Sequence, residues 1–375
     1  MDVPARVLVR GTGLIGTSLA LALRGKGAEV FLSDANPAAA RLAADLGAGT
    51  VLSDLREGKG IADVAVLAMP PSLVGEELLA AQECAVADLY TDVASVKVLP
   101  VARARALGCD LGSFVPGHPL AGRERHGPAA AQADLFLGRT WALCPLPENS
   151  PHAVDVVTAL VVAAGADPVV TDAATHDRWV ALVSHAPHLV ATAMAVRLAS
   201  PGIPDDALRL AGQGLRDVTR VAAGDSALWA QILTANAGPV AEVVAAVAQD
   251  LAEVARLLAP AGATPADNPG SAAPDGTGGV TALLDRGRAG VGRIPGKHGG
   301  QLRKFTVVQV VIADRPGELA RLFNAAGAAG VNIEDIRLEH SPGLPVGVAE
   351  VSVRPDQAAT LLDAMEDGGW PVRRG

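Results

Sequence analysis

A glycine spacing near the start, Gly11-Thr12-Gly13-Leu14-Ile15-Gly16, constrains this chain more than any other feature. G-x-G-x-x-G alone is a weak signal. Here it follows an apolar run, Val7-Leu8-Val9, that reads as a strand, and it opens a stretch, Leu14 to Leu23, that reads as a helix. In that context Gly11 permits a tight turn and Gly13 lets backbone approach a pyrophosphate. Gly16 lets helix pack closely on strand, with Thr12, Leu14 and Ile15 completing a loop whose helix N-terminus faces the phosphates. Asp34 ends the next apolar run, where an acid binds a ribose 2′-hydroxyl; its charge repels a 2′-phosphate, so NAD is favoured over NADP. Arg10, unusual at a strand end, can reach a phosphate and pulls the other way. The stretch Gly11 to Leu23, behind Arg6 and Arg10 and containing Ala20 and Ala22, also has the outline of a secretion signal. The glycine placement accounts for it better. With no apolar run of spanning length, the expectation is a soluble, cytoplasmic protein.

Short apolar runs alternate with helical patterns from Arg6 to about Thr171. Val7 to Val9, Glu29 to Ser33, Val64 to Ala68, Leu89 to Thr91 and Ser113 to Pro116 read as strands, and segments from near Leu14, Pro37, Ser72 and Ser95 as helices. Repeated β–α units imply a parallel sheet covered on both faces, so residues 1–171 read as a Rossmann-type dinucleotide-binding domain. Over residues 172–259 strand signals vanish. Trp179, Leu182, Val183, Ala186, Val190 and Ala193 recur at helical spacing, and a final helix runs from near Asp225 to Leu258. Residues 260–302, rich in Gly, Pro and Ala, read as a flexible linker with a basic end (Arg286, Arg288, Arg293, Lys297, His298). In residues 303–375 a strand (Phe305 to Ile312), a helix (Pro316 to Ala329), two strands (Val331 to Leu338, Val346 to Val353), a helix (Asp356 to Met365) and a last strand (Trp370 to Val372) make a ferredoxin-like βαββαβ unit. The fold class is α/β. Three domains suit a chain of 375 residues.

Charge and cysteines narrow the partners. With 31 basic and 40 acidic residues the net charge is -9, which argues against nucleic acid or a polybasic membrane contact. Cys84, Cys109 and Cys144 lack metal-type spacing and are odd in number, so neither a zinc cluster nor a disulfide framework is expected, and a reducing compartment fits.

Chemistry-bearing residues lie further along. His118 follows the last of these apolar runs, Ser113 to Pro116, and ligands of open α/β sheets bind beyond the carboxyl ends of strands. Pro119 would stiffen the turn after it and Gly122 allow a sharp exit. A histidine there can take the proton that alcohol oxidation releases. Ser184-His185-Ala186-Pro187-His188 lies in a helical pattern, where Pro187 should kink the helix beside a polar-lined cavity; the alternative is a pair of hydrogen-bonded core histidines. Arg216 and Arg220, four apart and upstream of Trp229, suit a carboxylate, unless they sit on a surface helix paired with Asp217 and Asp225. Together these describe an NAD-linked dehydrogenase acting on an anionic alcohol.

These motifs, in this order, resemble the prephenate dehydrogenase family, including its arogenate-using members. The match covers Gly11 to Gly16 with Ser18-Leu19-Ala20, Asp92 with Ser95-Val96-Lys97, and His118-Pro119-Leu120-Ala121-Gly122 with Glu124 and Gly127. It continues through Ser184 to His188, Arg216-Asp217-Val218-Thr219-Arg220 and Trp229. Thr17 stands where the family often has another glycine. The resemblance implies oxidative decarboxylation of prephenate to 4-hydroxyphenylpyruvate with NAD reduced. His118 corresponds to the catalytic histidine, Ser95 to the residue that orients it, Arg220 to the carboxylate-binding arginine and His188 to a pocket histidine. Ser184, His185, Glu124, Arg216 and Trp229 fall at other pocket positions, and the helical domain forms a dimer in this family. The C-terminal unit resembles an ACT domain through Asp314-Arg315-Pro316-Gly317-Glu318-Leu319 and Gly330-Val331-Asn332-Ile333. That resemblance implies regulation by an amino acid, tyrosine first, at Asp314, Pro316, Gly317, Asn332 and Ile333. Read from the residues, Asp314 can cap the helix and Pro316 suits its first turn. Arogenate dehydrogenase is the alternative activity, and a non-catalytic amino-acid sensor is a remoter one. ACT-bearing 2-hydroxyacid dehydrogenases place the fingerprint mid-chain, unlike this sequence.

Overall fold

A computed structural model describes residues 4–122, 126–259, 276–294, 305–340 and 345–374. The chain packs as two compact units, Met1–Gln249 and Asp250–Gly375.

In the first unit, β1 (Arg6–Arg10), α1 (Leu14–Arg24), β2 (Glu29–Ser33), α2 (Pro37–Asp45), β3 (Thr50–Val51), β4 (Ala62–Leu67), α3 (Val74–Glu83), β5 (Ala87–Asp92), α4 (Val98–Ala106) and β6 (Phe114–Val115) build a parallel sheet of order β3-β2-β1-β4-β5-β6. Side chains alternate across a strand, so Val7 and Val9 of β1 enter one core with Leu19 and Leu23 of α1, while Leu8 enters the other with Leu67, Leu78 and Phe114. Burial on both faces is why these strands read as unbroken apolar runs. The helix expected from Ser95 starts only at Val98, leaving Ser95 to Lys97 in the loop after β5.

The turn expected after His118 is instead a strand. β7 (Gly117–Pro119) pairs antiparallel with β8 (Thr140–Leu143), His118 opposite Ala142 and Pro119 opposite Trp141. After α5 (Pro151–Ala163), β9 (Asp167–Val170) joins β8 in parallel to complete a three-stranded second sheet.

The helical region begins with α6 (Ala173–Val180), a π turn (Ala181–His185) and α7 (Ala186–Leu198) in one continuous run. Pro187 has no N–H to donate back, and the backbone widens into the π turn just before it. By length and composition this run could cross a membrane, with mean hydropathy 1.4 over its most apolar window, which the expectation of no such stretch missed. It nevertheless buries His176, Asp177, His185 and His188 inside the fold. α8 (Asp205–Leu208), α9 (Gln213–Thr219), a 3-10 turn (Arg220–Ala223) and α10 (Ser226–Ala235) follow. The single final helix expected from Asp225 breaks at Asn236, and α11 (Ala237–Leu258) leaves at 98° to α10.

The expected linker holds a helix, α12 (Gly276–Val291), whose Arg286 pairs with Asp250 at 2.9 Å. That segment is therefore not a structureless tether; Lys297 and His298 fall outside the described residues. Then β10 (Thr306–Ala313), α13 (Glu318–Ala328), β11 (Asp335–His340), β12 (Val346–Val353), α14 (Ala358–Asp367) and β13 (Val372–Arg374) give the βαββαβ order in an antiparallel sheet, β11-β12-β10-β13. Val308, Val310, Leu322, Leu361 and Met365 form its core. α13 is capped by Gly317 at φ 87°, with no side-chain bond to its first turn. Asp314 therefore does not cap it, and Pro316 lies outside the helix.

Candidate active site

The glycine loop has the shape a dinucleotide needs. Gly11 sits at φ 98°, and a Cβ there would lie 2.2 Å from the Ala68 carbonyl oxygen. A Cβ on Gly16 would lie 1.9 Å from the Gly11 oxygen, so α1 packs here only through glycine. Gly13 has open space beside it and begins α1 with no side-chain cap and no acid in the first turn. The leading N–H groups are thus left for an anion. Asp34 accepts from the Thr12 N–H at 2.6 Å, the Thr12 hydroxyl at 2.9 Å and the Asn36 N–H at 2.7 Å. Thr17 donates to the Thr12 carbonyl at 2.9 Å, which pins the loop. Arg10 is engaged by Glu77 and by Ser33.

At the end of β5 lies a buried ion pair. Lys97, wholly buried, donates Nζ to Asp92 and to the Gly117 carbonyl, while Asp92 accepts from the Gly117 N–H at 3.1 Å and the Ala94 N–H at 3.0 Å. Burial pushes the Asp92 carboxyl up, against the pull of the Lys97 ammonium and those N–H groups. Both backbone groups of Gly117 are held, which fixes the residue directly before His118. A Cβ on Gly117 would come within 2.9 Å of Trp141 Nε1 and 3.0 Å of the Asp92 carbonyl.

His118 Nδ1 lies 2.9 Å from His176 Nε2, and His176 Nδ1 lies 2.8 Å from Asp177 Oδ1. Asp177 also accepts the N–H groups of Lys97 at 2.8 Å and Val98 at 2.9 Å, so it caps α4 from another helix. Burial, then the neighbouring His176, Lys97 and His185, holds His118 well below the ordinary histidine range. It is a neutral imidazole at neutral pH.

A cavity of about 450 Å³ opens over His118, lined by Ser95, Ser184, His185, His188 and Trp229 among others. His188 stacks on Trp229 with ring centres 3.6 Å apart, and burial lowers it. His185 is lowered to about 4, chiefly by burial. Its Nδ1 lies 3.1 Å from the Asn236 side-chain nitrogen, which also donates to the Asp177 carbonyl at 2.8 Å.

Six of the sequence-derived residues thus meet. Ser95 is on the cavity wall, but the partner of His118 is His176. Arg216 and Arg220 are exposed and off that wall, although Arg220 opens the 3-10 turn whose Val221 and Gly224 line it. Glu124 lies outside the described residues. Sequence reasoning missed the roles of Lys97, His176, Asp177 and Asn236; the His-Asp pair at the head of a helix was the available signal. In the C-terminal unit, Asp314, Pro316 and Gly317 line a concavity of about 470 Å³, while Asn332 bonds Glu334 and neither it nor Ile333 lines that space. Among the described residues no cluster of His, Cys, Asp or Glu could hold a metal ion.

An uncapped glycine-rich helix start on a parallel sheet, with a histidine-lined cavity in the same unit, defines the class, a nucleotide-dependent dehydrogenase. Residues 19–170 match the family model "Prephenate dehydrogenase, nucleotide-binding domain", and residues 172–265 match "Prephenate dehydrogenase, dimerization domain". The chain is 40% identical over 368 residues, 97% of its length and 98% of the relative's, to the probable prephenate dehydrogenase NovF of Streptomyces niveus. The Synechocystis arogenate dehydrogenase structure is similar at TM-score 0.63 and 25% identity, covering 76% of this chain and 98% of that one. The A. aeolicus prephenate dehydrogenase, solved with hydroxyphenyl propionate and NAD+, shares the fold at TM-score 0.65 and 24% identity, covering 78% and 99%. The chain belongs to the prephenate dehydrogenase family.

Proposed function

We propose that the protein oxidises and decarboxylates prephenate to 4-hydroxyphenylpyruvate, with NAD as cofactor. The observation that carries this reading is a cavity over His118, just beyond the carboxyl end of β6, in the parallel sheet whose β1 leads into the glycine loop. Bound NAD supplies the acceptor for the hydride from the ring C4. His118 takes the hydroxyl proton from the same carbon. Loss of CO2 then makes the ring aromatic, and the proton returns from His118 to the phenolic oxygen. Aromatisation drives the reaction, so positioning and one base suffice. Arg220 is assigned the substrate carboxylate, and Ser184, His185, His188 and Trp229 the ring and side chain. The helical region pairs two copies, and the C-terminal unit acts as an ACT domain that takes tyrosine at the Asp314–Gly317 turn.

His118→Asn should lower kcat by about 10²–10⁴-fold, the usual share of general-base catalysis, while NAD still binds. Unchanged turnover removes His118 from the chemistry. The likeness to an arogenate dehydrogenase favours a second reading, arogenate as substrate with tyrosine as product. NAD reduction on prephenate and arogenate side by side, with and without tyrosine, separates the two readings and tests the regulation. No turnover on either sinks both.

A further inference from the structure

We propose that His176 and Asp177 are positioning residues that set the proton on His118, so that the base is a three-member chain, His118–His176–Asp177. The proposal rests on His118 being the base. A carboxylate only accepts, so the proton between Asp177 and His176 sits on His176 Nδ1. In the neutral ring His176 Nε2 is then an acceptor, and the proton between the two rings belongs to His118 Nδ1. One ring nitrogen of His118, Nε2, keeps a lone pair, on a ring that lines the cavity. The network thus selects the tautomer that can accept a substrate proton.

Asp177 cannot turn away from this task. Its two oxygens receive the N–H groups of Lys97 and Val98 at the start of α4, and its own carbonyl is held by Asn236. When Nε2 takes a proton, no ring has to reorient: His118 Nδ1–H already points at His176, and His176 at a fixed carboxylate. The other titratable groups facing the ring are Lys97 and Asp92 below Gly117, and His185, His188, His126 and Asp225 around the cavity. None of these has a hydrogen bond to His118.

The first test needs no substitution. With 15N-labelled histidine, NMR of the full-length protein at pH 7.5 should show His118 as the Nδ1–H tautomer; the Nε2–H tautomer overturns the proposal. The second uses two variants at one position. His176→Phe removes the acceptor and should cost about 10²-fold or more in kcat, by analogy with a triad whose histidine loses its orienting partner. The acid limb of its pH profile should shift from the parent's, because the ring beside Nδ1 that helps set the protonation of His118 is gone. His176→Gln places an amide oxygen toward His118 and an amide N–H toward Asp177, and should recover most of the rate and the parent profile. Equal damage in both variants, or a His176→Phe profile identical to the parent, overturns the assignment. NAD affinity, expected unchanged, reports folding in each. Loss of the base reading itself appears elsewhere, as full activity in His118→Asn.

Discussion

His118 and the glycine loop were legible from sequence because each carries its own local context, a strand end and a strand–turn–helix. Lys97 was not. Its neighbours, Ser95, Val96 and Val98, give no hint that a lysine will lose all contact with water, and the burial comes from β5, β7 and α6 closing around it. Breaking one side of a buried ion pair leaves an uncompensated charge, so Lys97→Met should destabilise by about 3–5 kcal/mol, read from urea unfolding. Adding Asp92→Leu should recover part of that loss. A single variant within about 1 kcal/mol of the parent would show that the pair is not what holds Gly117.

Elements were legible where one rule acted alone. The parallel strands and α1 appear where apolar runs and glycines place them. The His176–Asp177 pair was hidden by the π turn: nine residues at about 100° each put His176 half a helical turn from His185, on the opposite face. Widening at Ala181–His185 removes part of that rotation, and no periodicity count anticipates it. The break between α10 and α11 had a signal, Asn236 followed by Pro239, which the continuous apolar pattern outweighed. Asn236 ties that corner to α6 and the π turn. Asn236→Ala should cost about 2–4 kcal/mol in thermal or urea unfolding, since two buried acceptors lose their donor. A cost near zero would mean the corner is held by packing alone.

At the scale of the molecule, the order of parts was visible in composition and period, but the second sheet was not, because strands of three or four residues fall below any pattern. α12 was masked by the glycine and alanine around it. The glycine loop, His118 and its cavity all lie within Met1–Gln249. A chain ended after Ala259 should keep NAD-dependent turnover within several-fold of the parent and lose any response to tyrosine. Retained tyrosine inhibition would place the effector in the catalytic cavity instead. The carboxylate of Asp177 has one more consequence. It grips the nucleotide-binding fold at the head of α4 while steering His118 through a histidine of its own helix. Hinging these parts away from each other would unfasten both grips together, so a gaping enzyme is a disarmed one. Water admitted by such an opening would meet a histidine free to take either tautomer.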